Sequence, residues 1–228
     1  MRLYAKKISI IIPTLNEADQ VEQQLVKLQM LRQNGHEVIV VDGGSTDDTV
    51  SLVVSLCDQV YESQQSRSIQ MNCGARKATG KCFVFLHADT ILPDNIIQSL
   101  LNINNIEEKW GRFDISLAGR HWLFRVIELF MNSRSSFTGI VTGDQVIFVG
   151  EKLFSKVGGY PEIALMEDIA ISSLLINSSR PIRIRKKVIS SSRRWEKNGI
   201  VKTIITMWVL RLLYFFGYDI NKIARYYE

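Results

Sequence analysis

The feature that most constrains this chain is a repeated hand-over, in which a short run of apolar, mostly β-branched residues stops at a polar or acidic group and gives way to a helical period. Residues 8–12 end at Pro13, and Val21, Leu25, Leu28 and Leu31 then recur at helical spacing. Residues 38–41 end at Asp42, after which Gly43, Gly44 and Ser45 turn the chain into a helix expected over about 47–56, with Ser45 or Thr46 as its N-cap. A strand over 59–62, a helix over 68–78 and a strand over 82–86 ending at His87-Ala88-Asp89 complete the order β-α-β-α-β-α-β. Strands that are apolar on both faces need helices on both faces, so the pattern predicts a mostly parallel, Rossmann-like sheet in an α/β sandwich. Ligands of such sheets sit beyond the carboxyl ends of the strands, which here carry Thr14-Leu15-Asn16-Glu17, Asp42 and His87-Ala88-Asp89.

The second half is less regular and reads as α+β: a strand near 113–117, a helix over 122–131, a strand near 145–149, a turn at Gly158-Gly159-Tyr160-Pro161 and a helix after Asp168. No repeat or Pro/Gly/Ser-rich linker divides the 228 residues, so one domain is expected over 1–228. Cys57, Cys73 and Cys82 are odd in number and lack C-x-x-C spacing, which points away from disulfides and zinc and toward a reducing, cytoplasmic setting. The first residues show no long apolar h-region, so no signal peptide is expected.

Charge is uneven. Residues 180–228 hold twelve Lys/Arg against three Asp/Glu, a balance that suits phosphates, an anionic membrane or nucleic acid. Within that tail, residues 200–216 are apolar on nearly all sides but carry Lys202 and Arg211 and fall short of the about 20 residues that span a bilayer. Attachment at the inner face of the membrane, a homodimer contact and a core-packed helix are the three readings.

The first strand-to-helix loop contains no glycine and no G-x-x-x-x-G-K-[ST] occurs, which disfavours Rossmann dehydrogenases and removes P-loop NTPases. The order of residues 8–17, then 38–47, then Phe85-Leu86-His87-Ala88-Asp89 resembles the family 2 glycosyltransferases with the GT-A nucleotide-sugar fold. Gly143-Asp144-Gln145, Gly158-Gly159-Tyr160-Pro161, Met166-Glu167-Asp168, Arg193-Arg194-Trp195-Glu196 and the tail ending Leu213-Tyr214 resemble the subgroup called radical-SAM/selenodomain-associated transferase 2, so the likeness spans nearly the whole chain.

The resemblance implies a nucleotide-sugar donor, UDP- or GDP-linked, and no nucleic acid. It implies a donor half over about 1–110, and an acceptor half with a hydrophobic C-terminal helix over about 111–228. Donor binding falls to Pro13, Thr14, Glu17, Asp42, Arg67, Asn72, His87, Ala88, Asp89, Arg193 and Arg194. It makes Asp89 the ligand of a divalent cation, Mg²⁺ or Mn²⁺, which suits one carboxylate plus phosphate and water oxygens. His87 stands where many relatives have an Asp. Asp144, Gln145, Glu167 and Trp195 fall on the acceptor side, and Asp168 takes the place of the general base of an inverting transfer to a hydroxyl, the acceptor itself being open and lipid-linked among the options.

Each residue also has a plainer role: Asp42 as a turn residue, Asp168 as a helix-opening cap, Arg67 as a solvated helix residue. The rival functions are a sugar nucleotidyltransferase, whose Gly-rich basic first loop is missing here, and a catalytically silent nucleotide-sugar-binding or membrane-docking module.

Overall fold

A computed structural model of the chain describes residues 7–93 and 95–225. Its first half runs β1 (Ile8–Thr14), α1 (Ala18–Gln33), β2 (Glu37–Asp42), α2 (Thr49–Val53), β3 (Gln59–Glu62), α3 (Arg67–Lys77), β4 (Cys82–Phe85), β5 (Thr90–Ile91) and α4 (Ile96–Leu101). The second half runs β6 (Trp110–Leu117), α5 (Trp122–Thr138), β7 (Ile147–Gly150), α6 (Glu151–Val157), α7 (Glu167–Ile176), β8 (Ile182–Ser190), α8 (Arg193–Asn198), α9 (Ile200–Phe215) and α10 (Ile220–Arg225).

One eight-stranded sheet, in the order β3-β2-β1-β4-β7-β6-β8-β5, runs through both halves. The first four strands in that order are mutually parallel, as the apolar runs predict. β1 is buried along its whole length, and alternate residues serve opposite faces. Ile10 and Ile12 join Val38, Val40 and Val84 under α1 and α4, while Ile11 joins Phe83, Phe85, Ile147 and Val149 on the other face. Gly74 lets α3 lie directly on β1, since a Cβ there would stand 2.5 Å from the Ile11 side chain.

The second half departs from a doubly wound sheet in a way that decides where the chemistry sits. β7 runs antiparallel between β4 and β6, pairing Ile147 with Phe85. Its start therefore lies beside the end of β4, and the residues preceding β7 meet the residues following β4. β8 pairs in parallel with β6 and brings Ser190 against both Leu117 and Thr90. All the loops in question thus share one end of the sheet.

Several boundaries differ from the sequence reading. α2 is only five residues with Asp48 at its N-cap position, because Ser45 and Thr46 are committed to other bonds described below. Gly143–Gln145 is a 3-10 turn, so Gln145 stands outside the strand expected near 145–149. α5 continues to Thr138, where Gly139 closes it at φ +74°. β5, α4, α6, β8, α8 and α10 have no counterpart in the sequence reading, and the Arg193-Arg194 segment is helix rather than loop.

α5 is pinned to β6 by polar groups. Asn132 exchanges hydrogen bonds with the Ile115 backbone (2.9 and 3.1 Å), and the buried Arg112 donates to the Asn132 carbonyl and Ser136 Oγ while pairing with Asp114. Arg183 on β8 closes the set with a bidentate pair to Asp114 at 2.9 and 2.8 Å. β6 and β8 approach closely at Gly111, where a Cβ would stand 2.1 Å from the Ile182 carbonyl oxygen and 2.6 Å from the Phe148 ring. Gly111→Ala should therefore destabilise the fold by about 3 kcal/mol in urea unfolding, and a cost below about 1 kcal/mol would mean that the two strands do not meet this tightly.

Candidate active site

The first two βα loops are stitched to each other. The amides opening α1 are satisfied across the gap: Asn16 N donates to Ser45 Oγ, Glu17 N to Thr49 Oγ1 and Ala18 N to Asp47 Oδ2. Asn16 Oδ1 in turn accepts from Thr46 N. Asp42 anchors the turn, accepting from the Gly44 and Ser45 amides at 2.8 and 2.7 Å and from Ser45 Oγ at 2.5 Å. Two buried glutamines brace the loops from below. Gln70 donates to the Thr14 and Val41 carbonyls, and Gln24 donates to those of His87 and Thr90, fixing the segment that holds Asp89.

Above these loops opens a cleft of about 500 Å³. Its floor is Pro13, Thr14, Glu17, His87, Ala88 and Asp89, one wall is Arg67 on α3, and the opposite wall is Thr142, Gly143, Asp144, Glu167 and Asp168. Arg194 and Trp195 of α8, with Thr203, Met207 and Arg211 of α9, close the mouth. Three of the five non-glycine residues with positive φ, Asn16, Val146 and Met166, lie in the segments that bring the acidic groups here. A β-branched residue such as Val146 rarely adopts this conformation, and strain of this kind collects at functional sites.

The acidic groups perturb one another. Burial, then the Asp168 charge, pushes the Glu167 carboxyl up to about 7, with Arg67 opposing. Burial likewise raises Asp168, against hydrogen bonds from the Gly143 and Ile169 amides (3.0 and 2.7 Å) and the charges of Arg67 and Arg134. Burial of its carboxyl within the cleft and the charge of Asp89 raise Asp144 to about 6. Glu17 is raised by burial and by Asp89. His87 is pushed down to about 3 by burial and by Arg67, so its 4.0 Å contact with Asp144 is not an ion pair at neutral pH. Gly143 packs flat on its ring, where a Cβ would come within 2.5 Å.

Not every residue singled out by sequence reaches the cleft. Asn72 is buried and clamps the Tyr160 backbone (2.8 and 2.9 Å), and Gln145 is buried against Ser135. Asp42 lies beneath the floor with both carboxylate oxygens engaged in its turn. Arg193 points along the rim, 3.8 Å from Glu17 and largely exposed. Among the described residues, no group of three or more His, Cys, Asp and Glu side chains is placed to hold a metal by itself.

The sequence profile described as glycosyl transferase family 2 matches residues 9–136, more than half of the chain. The chain belongs to this family. An uncharacterized glycosyltransferase of Mycobacterium tuberculosis is 30% identical over 200 residues, covering 79% of this chain and 73% of its own length. One from Rickettsia prowazekii is 30% identical over 106 residues, covering 45% of this chain and only 33% of its own length. In fold, this family 2 glycosyltransferase is similar to a mannosyltransferase from Pyrobaculum calidifontis determined in complex with GDP-Man and Mn2+, with a TM-score of 0.63, 21% identity, and coverage of 82% of this chain and 57% of that one. It is also similar to S. aureus TarS 1-349 in complex with UDP, with a TM-score of 0.67, 16% identity, and coverage of 81% and 60%. The fold is therefore the GT-A type.

Against that family background, three residues of the site were missed from sequence. Gln24 and Gln70 carry no motif, because a buried glutamine bracing a loop looks like any helix glutamine. Arg134 on α5 is the third: its Nε and Nη2 are buried without a hydrogen-bond partner, and its charge acts on Asp168 and Asp144. Nothing in the sequence sets it apart from Arg125 on the same helix.

Proposed function

We propose that this chain is a metal-dependent, inverting glycosyltransferase that moves a sugar from a UDP- or GDP-linked donor to an acceptor hydroxyl. The observation that carries the reading is the convergence of Asp89, Asp144 and the adjacent Glu167 and Asp168, from three separate segments, on one cleft of about 500 Å³ that also presents Arg67 and Arg194. The GDP-Man and UDP found with the similar mannosyltransferase and TarS favour such donors. Residues 1–110 would hold the donor and 111–228 the acceptor, within one domain.

In this reading the nucleoside lies over Pro13, Thr14 and Glu17, with Asp42 setting the shape of the floor and Asn72 holding the Gly159-Tyr160 turn in place. Arg67 and Arg194 face the diphosphate, with Arg193 at the rim beside Glu17, where guanidiniums offset charge that grows as the leaving group departs. The donor set fits a hard cation: Asp89 lies among acidic neighbours that each raise the cost of one more bare charge, and one carboxylate with phosphate and water oxygens satisfies Mg²⁺ or Mn²⁺. When bound, that cation would neutralise the diphosphate as a Lewis acid.

Asp168 takes the proton of the acceptor hydroxyl as its oxygen attacks the anomeric carbon. The bond from that carbon to the phosphate oxygen breaks, and its electrons leave with the nucleoside diphosphate. A single displacement inverts the anomeric centre. Leu165, Ile169, Met207 and the indole of Trp195 make the acceptor end of the cleft apolar, which favours a lipid-linked hydroxyl. The test is to supply UDP- and GDP-sugars with lipid acceptors and read the product by NMR. An anomeric configuration opposite to the donor's is expected. Retention, or release of pyrophosphate from a nucleoside triphosphate and sugar phosphate, would contradict the reading.

Base catalysis by a raised carboxyl has a pH signature. Turnover should fall as pH drops through the raised titration of the Glu167–Asp168 pair, well above the ordinary carboxylate range. Stability should move oppositely: the folded pair binds protons more tightly than the unfolded chain, so its contribution declines from about pH 4.5 up through about 7. Arg134→Gln removes a cation that holds Asp168 down, so the acid limb of the rate profile should shift to higher pH with donor KM unchanged. A limb that stays put would make Arg134 a packing residue only.

A further inference from the structure

α5 and α9 meet at one apolar cluster, in which Ile200 and Ile204 of α9 pack against the group formed by Phe124 and Ile127 of α5 with Ile115 and Leu117 of β6. Each turns a second apolar face outward. On α5 this face carries Trp122, Val126, Leu129, Phe130 and Phe137, with Phe137 85% exposed. On α9 it carries Val201, Ile205, Trp208, Leu212 and Phe215 at alternating spacings of four and three residues, with Trp208 69% and Phe215 81% exposed. Two neighbouring stripes with this many exposed aromatics are more than scattered surface residues.

The charges around them are mostly positive. α9 contains no Asp or Glu, and the one acidic residue of α5, Glu128, is buried under the Leu117 amide and Arg125. Arg120, Arg125, Lys197 and Lys202 are exposed at the edges, and residues 193–225 hold seven Lys/Arg against two Asp/Glu. A second copy of the chain placed face to face across a two-fold axis would set these cations against each other. An anionic bilayer complements them, with the aromatics at the headgroup boundary. No helix among the described residues is long and apolar enough to cross a membrane.

We infer that α5 and α9 together form a docking surface for an anionic lipid bilayer. The inference rests on the proposed reading of the cleft for its purpose: the inner face of α9, through Thr203, Met207 and Arg211, lines the cleft, so a bilayer on the outer face would present a lipid-linked hydroxyl near Asp168. The surface itself is testable without turnover.

The intact chain would be floated with vesicles of phosphatidylcholine, alone or mixed with phosphatidylglycerol. Binding is expected to the mixed vesicles at low salt, with release at high salt. Trp122→Ser with Phe137→Ser on α5 should lower the bound fraction about tenfold, as should Trp208→Ser on α9, since aromatic area at the interface supplies the binding. Circular dichroism would verify that each variant folds, and Arg120→Gln with Lys202→Gln gives a second route, lowering binding at low salt only. No flotation of the intact chain would overturn the inference. So would binding that the α5 substitutions leave unchanged, or a dimer in sedimentation that these substitutions disperse while vesicles are ignored. A nucleoside diphosphate that raises the melting temperature of a chain unable to float would separate failure of this surface from failure of the proposed function.

Discussion

Asp168→Asn should bind donor as well as the unchanged protein and turn over roughly 10²–10⁴-fold more slowly, the usual worth of a general base. Asp168 accepts hydrogen bonds from the Gly143 and Ile169 amides, and the side-chain oxygen of an asparagine can keep one of them, so the junction between the 3-10 turn and α7 should survive. What the amide cannot do at neutral pH is take a proton. The donor contacts proposed for Thr14, Glu17 and Asp89 lie across the cleft and are untouched. KM for donor should stay level while kcat falls, the pattern of an interaction made only in the transition state. Turnover within a few-fold of the original would reduce Asp168 to a helix-opening residue and direct the search to Glu167 and Asp144.

Asp89→Ala should be as damaging for a different reason. In the original protein a nucleoside diphosphate at about 100 times its Kd contributes about 2.7 kcal/mol, which for a chain of this size raises Tm by about 5–10 °C. The proposal makes that rise depend on Mg²⁺ or Mn²⁺, since without a cation the diphosphate faces the carboxylates of Glu17, Asp89 and Asp144. Asp89→Ala should abolish the difference between cation and chelator, and cost roughly 10²–10³-fold in turnover, as does loss of one electrostatic stabiliser elsewhere. Gln24 holds the backbone of this segment through the His87 and Thr90 carbonyls, so the loop should keep its path. A Tm rise that remains equally cation-dependent would move the ligand to Asp144.

What sequence could disclose here follows from what is local. The central parallel strands β2, β1 and β4 announced themselves because a strand buried on both faces must be apolar nearly throughout, and the segments at their ends named Thr14, Asp42 and Asp89 as edge residues. Asp144 could be named by motif but not placed, since its proximity to His87 depends on β7 entering the sheet antiparallel beside β4. β8 hid in the basic tail although Ile182, Ile184 and Val188 alternate with Arg183, Arg185 and Lys187, because charge drew the reading away from a period of two. Ser45 and Thr46 looked like caps by type, yet the turn bond to Asp42 and the tertiary bonds to Asn16 took precedence over the capping role. Gln145 and Asn72 carried the right residue types for contact with substrate, and burial turned both inward. The outward face of α5 was invisible for the same reason in reverse: an amphipathic helix pattern says that one side is apolar, and only packing shows that a second side is apolar too.

The central claim is that the carboxylate-lined cleft at the ends of β1 and β4 receives a nucleoside diphosphate. Calorimetric titration of UDP and of GDP into the intact chain, in Mn²⁺ and again in excess chelator, tests it most directly. Saturable binding of at least one nucleotide in Mn²⁺, with stoichiometry of one per chain and a marked loss in chelator, is the expected result. Heats no greater than dilution for both nucleotides in the presence of the cation would contradict it.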